Sequence, residues 1–259
     1  MAFALLKAVL YFGLYILIQI AVTNLVYGII VLKFPGFDNY KLTEIMESLS
    51  LELNMMGGAL TVFALALIAK LNKSSLSQAA EIKKYSGHFT FTLLIMGVAS
   101  AYAIMLIFSL LEQAGVFPES WLRAQTEAYQ FVYNAGPFMQ FAGACLVAPV
   151  MEEILFRGFI LGALKKEMHP WIAISVSAVL FAVAHGTPIG IMYTLLLGLL
   201  MGWLTVTFKS IVPSILLHIA YNCTVAYSGG VSLGIAVLSL PILAFEIYSI
   251  TNYFRGKKE

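Results

Sequence analysis

Of the 259 residues, 61% are hydrophobic and 11% charged, with a mean hydropathy of +0.90 and a formal net charge of +2. This composition excludes an ordinary soluble globular chain and predicts an all-α, polytopic membrane protein. Its two cysteines, Cys145 and Cys223, both fall inside apolar runs, which argues against a disulfide framework or a Cys-based metal cluster.

Spanning the hydrocarbon core takes roughly 20 apolar residues as a helix. About eight such runs follow one another, near 8–32, 54–70, 89–111, 138–163, 171–186, 189–208, 210–227 and 231–253. The first is too long for a signal-peptide core and carries no small-residue cleavage pattern, so it is expected to stay as an anchor. Between the first and second runs, Leu42, Ile45, Met46, Leu49 and Leu53 recur at helical spacing among Glu44, Glu47 and Glu52. Before the fourth, Ser120 is placed to cap a helix carrying Trp121, Leu122, Tyr129 and Val132. Both segments are expected to lie along the membrane surface, as covers of the bundle or as a lid.

Assigning alternate loops to alternate sides puts Lys7, Lys70, Lys73, Lys83, Lys84, Lys165, Lys166, Lys209, Arg255, Lys257 and Lys258 on one face. Lys33, Lys41 and Arg123 fall on the other. By the positive-inside rule this imbalance places both termini in the cytoplasm and favours an even number of spans. No repeat or linker divides the chain, so residues 1–259 read as a single helical domain.

The fourth run contains "PVMEEILFRG", which puts Glu152, Glu153 and Arg157 within six positions of an otherwise apolar helix. An acidic or basic residue at mid-span costs about 2.5–3.5 kcal/mol on insertion scales, so the trio needs partners. Glu153 and Arg157, four apart, share a helix face and are expected to pair. Glu152 is then left over, about 100° around the helix. Pro149 lacks an N–H and is expected to free the carbonyl of Cys145 and bend the helix.

Two of the four histidines, His88 and His169, fall at span boundaries; the other two do not. His185 closes "FAVAH", before the helix-stopping "GTP", and His218 opens "HIAYN", with Asn222 one turn later. A rise of 1.5 Å per residue puts Glu152 roughly 16 Å, His185 roughly 21 Å and His218 roughly 12 Å from the cytoplasmic ends of their runs. A single polar intramembrane cavity holding Glu152, His185, His218 and Asn222 is therefore expected, with water admitted to offset the burial of charge. The bland alternative is a dry interhelical clamp.

"EEILFR", "FAVAH" and "HIAYN" resemble, in order, the EExxxR, FxxxH and HxxxN signatures of the CAAX-protease and bacteriocin-processing (Abi, CPBP) family of intramembrane proteases. The resemblance covers residues 138–227. It implies an endopeptidase acting near the membrane surface, with Glu152 activating water and His185 holding or deprotonating that water. In the same way His218 and Asn222 would stabilise the oxyanion, and Glu153 and Arg157 would orient the motif helix.

A divalent metal such as zinc on Glu152, His185 and His218 is one option. Metal-free glutamate chemistry fits the same residues and is preferred, because HxxxN is not the HExxH arrangement. Expected partners are membrane lipids and a peptide or lipidated protein substrate, with no nucleic acid, and the expected location is a prokaryotic plasma membrane. Processing of CAAX proteins, peptide maturation and bacteriocin self-immunity remain open as roles. A non-catalytic immunity or scaffold protein and a proton-coupled transporter stay as alternatives; no inverted repeat of broken helices supports the latter.

Overall fold

The computed structural model describes residues 1–85, 87–230 and 232–257, with the backbone alone at 131, 133 and 134. Lys258 and the first residue of the run expected at 231–253 therefore lie outside the described residues. The described residues form helices and no strand. In chain order these are α1 (Ala2–Lys33), α2 (Asn39–Ser48), α3 (Ser50–Leu71), α4 (Leu76–Ala79), α5 (Thr90–Gln113) and α6 (Glu119–Asn134). There follow α7 (137–164), α8 (Pro170–Val183), α9 (Pro188–Phe208), α10 (Val212–Tyr227) and α11 (Leu233–Gly256).

All eight expected apolar runs are helical, and among the described residues α1, α3, α5, α9 and α11 are regular helices long and apolar enough to cross a membrane by length and composition. Helix α8, with 14 residues, extends about 21 Å, and α10, with 16, about 24 Å, both short of a core of roughly 30 Å.

Local chemistry sets the ends. Proline occupies the first turn of α7, α8, α9 and α10, where its missing N–H costs nothing. Asp38 accepts from the Lys41 N–H at 2.8 Å to start α2, and Thr187 accepts from the Gly190 N–H at 3.0 Å to start α9. The expected amphipathic segments are indeed helices, with two corrections. Leu53 and Glu52 belong to α3, because the first helix stops at Leu49. Ser120 is not the cap of α6: the N–H groups of Trp121 and Leu122 already bond to the Pro118 carbonyl, so the helix begins at Glu119, two residues before the start that a Ser120 cap would give.

Helix α7 is the centre of the bundle, touching α1, α3, α8, α9 and α10; every residue of Ile154–Leu161 is buried. Rings join its neighbours to it. Tyr15 of α1 and Phe181 of α8 each meet Phe156 edge-on, at 6.3 and 5.2 Å between centroids. Helix α5 packs between α10 and α11. It approaches α10 so closely that a Cβ at Gly97 would lie 2.5 Å from the Leu217 carbonyl oxygen.

Candidate active site

Helix α7 is α-helical only in part. Gln140–Val147 and Ile154–Leu161 are π-helical, the wider turn in which an N–H reaches back five residues, and Ala148–Glu153 between them is α-helical. The acids therefore sit on a regular turn and a half bracketed by two widened stretches. The Ala148 N–H bonds to the Gly143 carbonyl, so the next residue in that register, Pro149, would answer to Ala144. Proline has no N–H, and the Asn222 side chain of α10 donates to the Ala144 carbonyl instead, at 2.9 Å. The carbonyl freed by Pro149 is thus Ala144 rather than the expected Cys145, because the wide turn shifts the register by one. In the second wide stretch Ser177 of α8 donates to the Phe156 carbonyl at 2.8 Å. Hydroxyl and amide groups of neighbouring helices satisfy carbonyls that an irregular helix turns outward inside an apolar bundle.

The expected pair is present and deeply buried. Arg157 Nη1 lies 3.0 Å from Glu153 Oε1, with both side chains fully buried. Arg157 also donates through Nη2 to the Gly198 carbonyl of α9 at 3.2 Å and lies over the Phe181 ring, 4.3 Å from its centroid. Glu153 holds His218 of α10 as well, Nδ1 to Oε1 at 3.1 Å. A charge here is expensive unless paired and hydrogen-bonded, and Glu153 is both.

Glu152 points elsewhere, as the 3.6-residue period requires. Its side chain is 24% exposed, and its Oε2 lies 3.7 Å from His218 Nε2. The imidazole of His218 thus bridges the two acids. With Nδ1–H donated to Glu153, the ring turns its Nε2 towards Glu152. On its other side Glu152 lines a cavity of about 20 Å³, room for about one water, shared with Tyr15, Asn54, Gly58, Thr61 and Ala148 among others.

His185 follows the last turn of α8. Its Nδ1 donates to the Phe181 carbonyl at 2.9 Å, and its ring meets Phe181 edge-on at 4.7 Å. In the neutral ring Nε2 is then the acceptor. Phe181 touches Arg157, His185 and, at 5.9 Å, His218, so it is the common floor of the cluster. Below α6, Gln125 accepts from the Thr187 hydroxyl and donates to the Tyr193 hydroxyl at 3.5 Å, which ties that amphipathic helix over the segment after His185.

The structure brings together Glu152, Glu153, Arg157 and His218 by direct contact and sets His185 beside them on Phe181. Asn222 holds the helix that carries the acids. The small cavity at Glu152 lies on the α1 and α3 side of α7, and His185, His218 and Asn222 are not among the residues lining it, since His218 and Asn222 reach α7 from α10. Among the described residues no three His, Cys, Asp or Glu side chains gather into a metal-binding set. The Glu152, His185 and His218 set considered for zinc is not assembled, and no step below is routed through a metal.

Three participants escaped the sequence. The Ala144 and Gly198 carbonyls are main-chain groups and carry no residue-type signal. Phe181 did carry one, as an aromatic one turn before His185, but its contact with Arg157 depends on how α7 and α8 pack.

Comparison with protein-family models finds a match to type II CAAX prenyl endopeptidase Rce1-like proteins over residues 134–224. No curated protein and no solved structure matches the chain. The family is one of peptidases, and with five apolar helices of spanning length the chain is an integral membrane protein. The match covers less than half of the chain but contains all three signatures; over residues 134–224 the chain is similar to Rce1-like type II CAAX prenyl endopeptidases.

Proposed function

We propose that this protein is an intramembrane endopeptidase in which Glu152 activates the attacking water. The observation that carries the reading is the position of Glu152, between His218 Nε2 at 3.7 Å and a cavity with room for about one water. The other acid, Glu153, is tied to Arg157 and His218 and is not available as a base.

In this scheme the Glu152 carboxylate takes a proton from water while the hydroxide oxygen bonds to the scissile carbonyl carbon. The carbonyl oxygen becomes an oxyanion, for which Asn222 keeps its second amide hydrogen and lies one turn from His218. Collapse breaks the C–N bond, and the proton held on Glu152 passes to the leaving amine. His218, oriented through Nδ1 by Glu153, presents Nε2 to that proton while it resides on Glu152. His185 stands beside the cluster on Phe181 and does not line the cavity at Glu152, so it has no step with that water. Glu153 and Arg157 act as positioning residues.

In this reading water enters beside the end of helix α8. Helix α8 ends after about 21 Å, and the irregular segment 184–187 follows at a level where the core of a bilayer extends roughly 30 Å. Exposed main chain of that kind is tolerated at membrane depth only where protein covers it or water reaches it. All eight apolar helices cross the bilayer in this reading, with both termini cytoplasmic from the excess of Lys and Arg on one set of loops. The substrate is a peptide or lipidated protein cut near the membrane surface, in CAAX-type processing, peptide maturation or self-immunity.

The test compares the peptides that accumulate in membranes carrying the wild type or Glu152→Gln. A peptide whose uncleaved form appears only with the variant names the substrate. Identical peptide sets, together with an unchanged biological phenotype, would favour a scaffold role.

A further inference from the structure

A line of polar side chains on α1 has no place in a lipid-facing helix and is not used by the chemistry above. Tyr15, Gln19, Thr23 and Tyr27 recur every four residues, so they form one stripe along α1. Its members Gln19, Thr23 and Tyr27 face Thr43 and Glu47 of α2 and Ser50 and Asn54 of α3 across an open cleft of about 460 Å³, within the roughly 300–1,000 Å³ of ligand sites, while Tyr15 lines the small cavity at Glu152. Asn54 lines both this cleft and the small cavity at Glu152, so the two adjoin.

At the junction the site is built rather than accidental. Gln19 Nε2 donates to Asn54 Oδ1 at 3.1 Å and approaches the Asn54 carbonyl at 3.4 Å. The Gln19 carboxamide lies against Gly57, where a Cβ would stand 2.2 Å from its Oε1. Any side chain at 57 would push the amide out of the cleft. Gly58 makes room for Met151, the residue before Glu152, in the same way.

We infer that this cleft binds the substrate as an extended, uncharged peptide segment, with Gln19 and Asn54 holding its main chain beside Glu152; this rests on the peptidase reading above. Side-chain amides offer both a donor and an acceptor, which is what the paired N–H and C=O of a peptide unit require. Tyr27 to Gln19, the stretch of α1 that lines the cleft, is about 12 Å along the helix, the length of about three to four residues of extended chain. Glu47 is the one formal charge on the cleft wall, at the end remote from Glu152. Leu42, Met46 and Leu53 also line the cleft and offer contacts for apolar side chains of that segment.

The probe is a pool of fluorescein-labelled, uncharged nonapeptide amides, and the first readout is its equilibrium binding to detergent-solubilised Glu152→Gln protein, where cleavage does not interfere. Adding Gln19→Met, Asn54→Leu or Gly57→Ala is expected to weaken binding at least tenfold, while melting temperatures stay within a few degrees. Thr43→Val, on the surface helix α2, is a fourth variant that does not touch the α1–α3 packing and is expected to weaken binding severalfold. In proteins retaining Glu152 the same changes should raise KM and leave kcat nearly unchanged. Unaltered binding in folded Gln19→Met and Asn54→Leu proteins overturns the inference. Tight, cleft-dependent binding with no cleavage by the wild type would keep the cleft and remove the peptidase reading.

Discussion

Replacing Glu153 by Gln preserves volume and removes one charge from the most deeply buried ion pair in the molecule. Glu153 and Arg157 are both fully buried at 3.0 Å, so after the change the guanidinium keeps only the Gly198 carbonyl and the face of Phe181. Breaking a buried pair by removing one partner costs about 3–5 kcal/mol, because the survivor stays charged and desolvated. For a chain of this size each kcal/mol shifts the melting temperature by roughly 2–4 °C, which gives an expected fall of roughly 6–20 °C. The Gln carbonyl can still accept from His218 Nδ1–H, so the loss reports the stranded arginine and not a broken histidine contact. Thermal unfolding of purified protein in mild detergent measures it. Adding Arg157→Met to Glu153→Gln removes the stranded charge and should restore more than half of the shift. A single variant that melts within about 2 °C of the wild type would refute the reasoning, since the pair would then contribute nothing that water or lipid does not replace.

Gly97→Ala should destabilise by about 1–3 kcal/mol, because its Cβ meets the Leu217 carbonyl at 2.5 Å, whereas Gly13→Ala, which meets nothing within 4 Å, should leave the melting temperature unchanged. Asn222→Leu leaves the Ala144 carbonyl without its donor and should cost about 1–3 kcal/mol in thermal unfolding, besides any effect on turnover. Because Glu152, His185 and His218 do not gather as a ligand set, turnover should survive dialysis against a strong chelator; loss restored by added zinc would mean that the three close on a metal during the reaction.

Most of the helical plan was legible because a lipid-facing helix announces itself by length and apolarity. All eight runs are helices, but α8 and α10 fall short of a full span, since hydropathy does not register where "GTP" ends α8 or where Gly229 and Gly230, both at positive φ, follow α10. Within the site, spacing sufficed for contacts along one helix. Glu153 and Arg157 at i, i+4 had to share a face, and Glu152 had to point away. Contacts between helices were less legible. Equal depth brought His218 to Glu152, yet it did not show that the same imidazole also meets Glu153 through its other nitrogen. The register of the Pro149 bend was missed because a wide turn is a tertiary event: Asn222 supplies what the main chain lacks. Gln19 and Asn54 drew no reading from the sequence, because their meaning needed the packing of α1 against α3 and the bare main chain of Gly57.

The most direct measurement is single-turnover cleavage, in proteoliposomes, of a peptide identified from the membrane comparison, by wild type and by Glu152→Gln. General-base assistance contributes typically 10²–10⁴-fold, so the variant should lose at least about 100-fold in rate. Glu152 is partly exposed and in no buried ion pair with Arg157, so its melting temperature should stay within about 2 °C. Cleavage by a folded Glu152→Gln protein at the wild-type rate would contradict the assignment of Glu152 as the base.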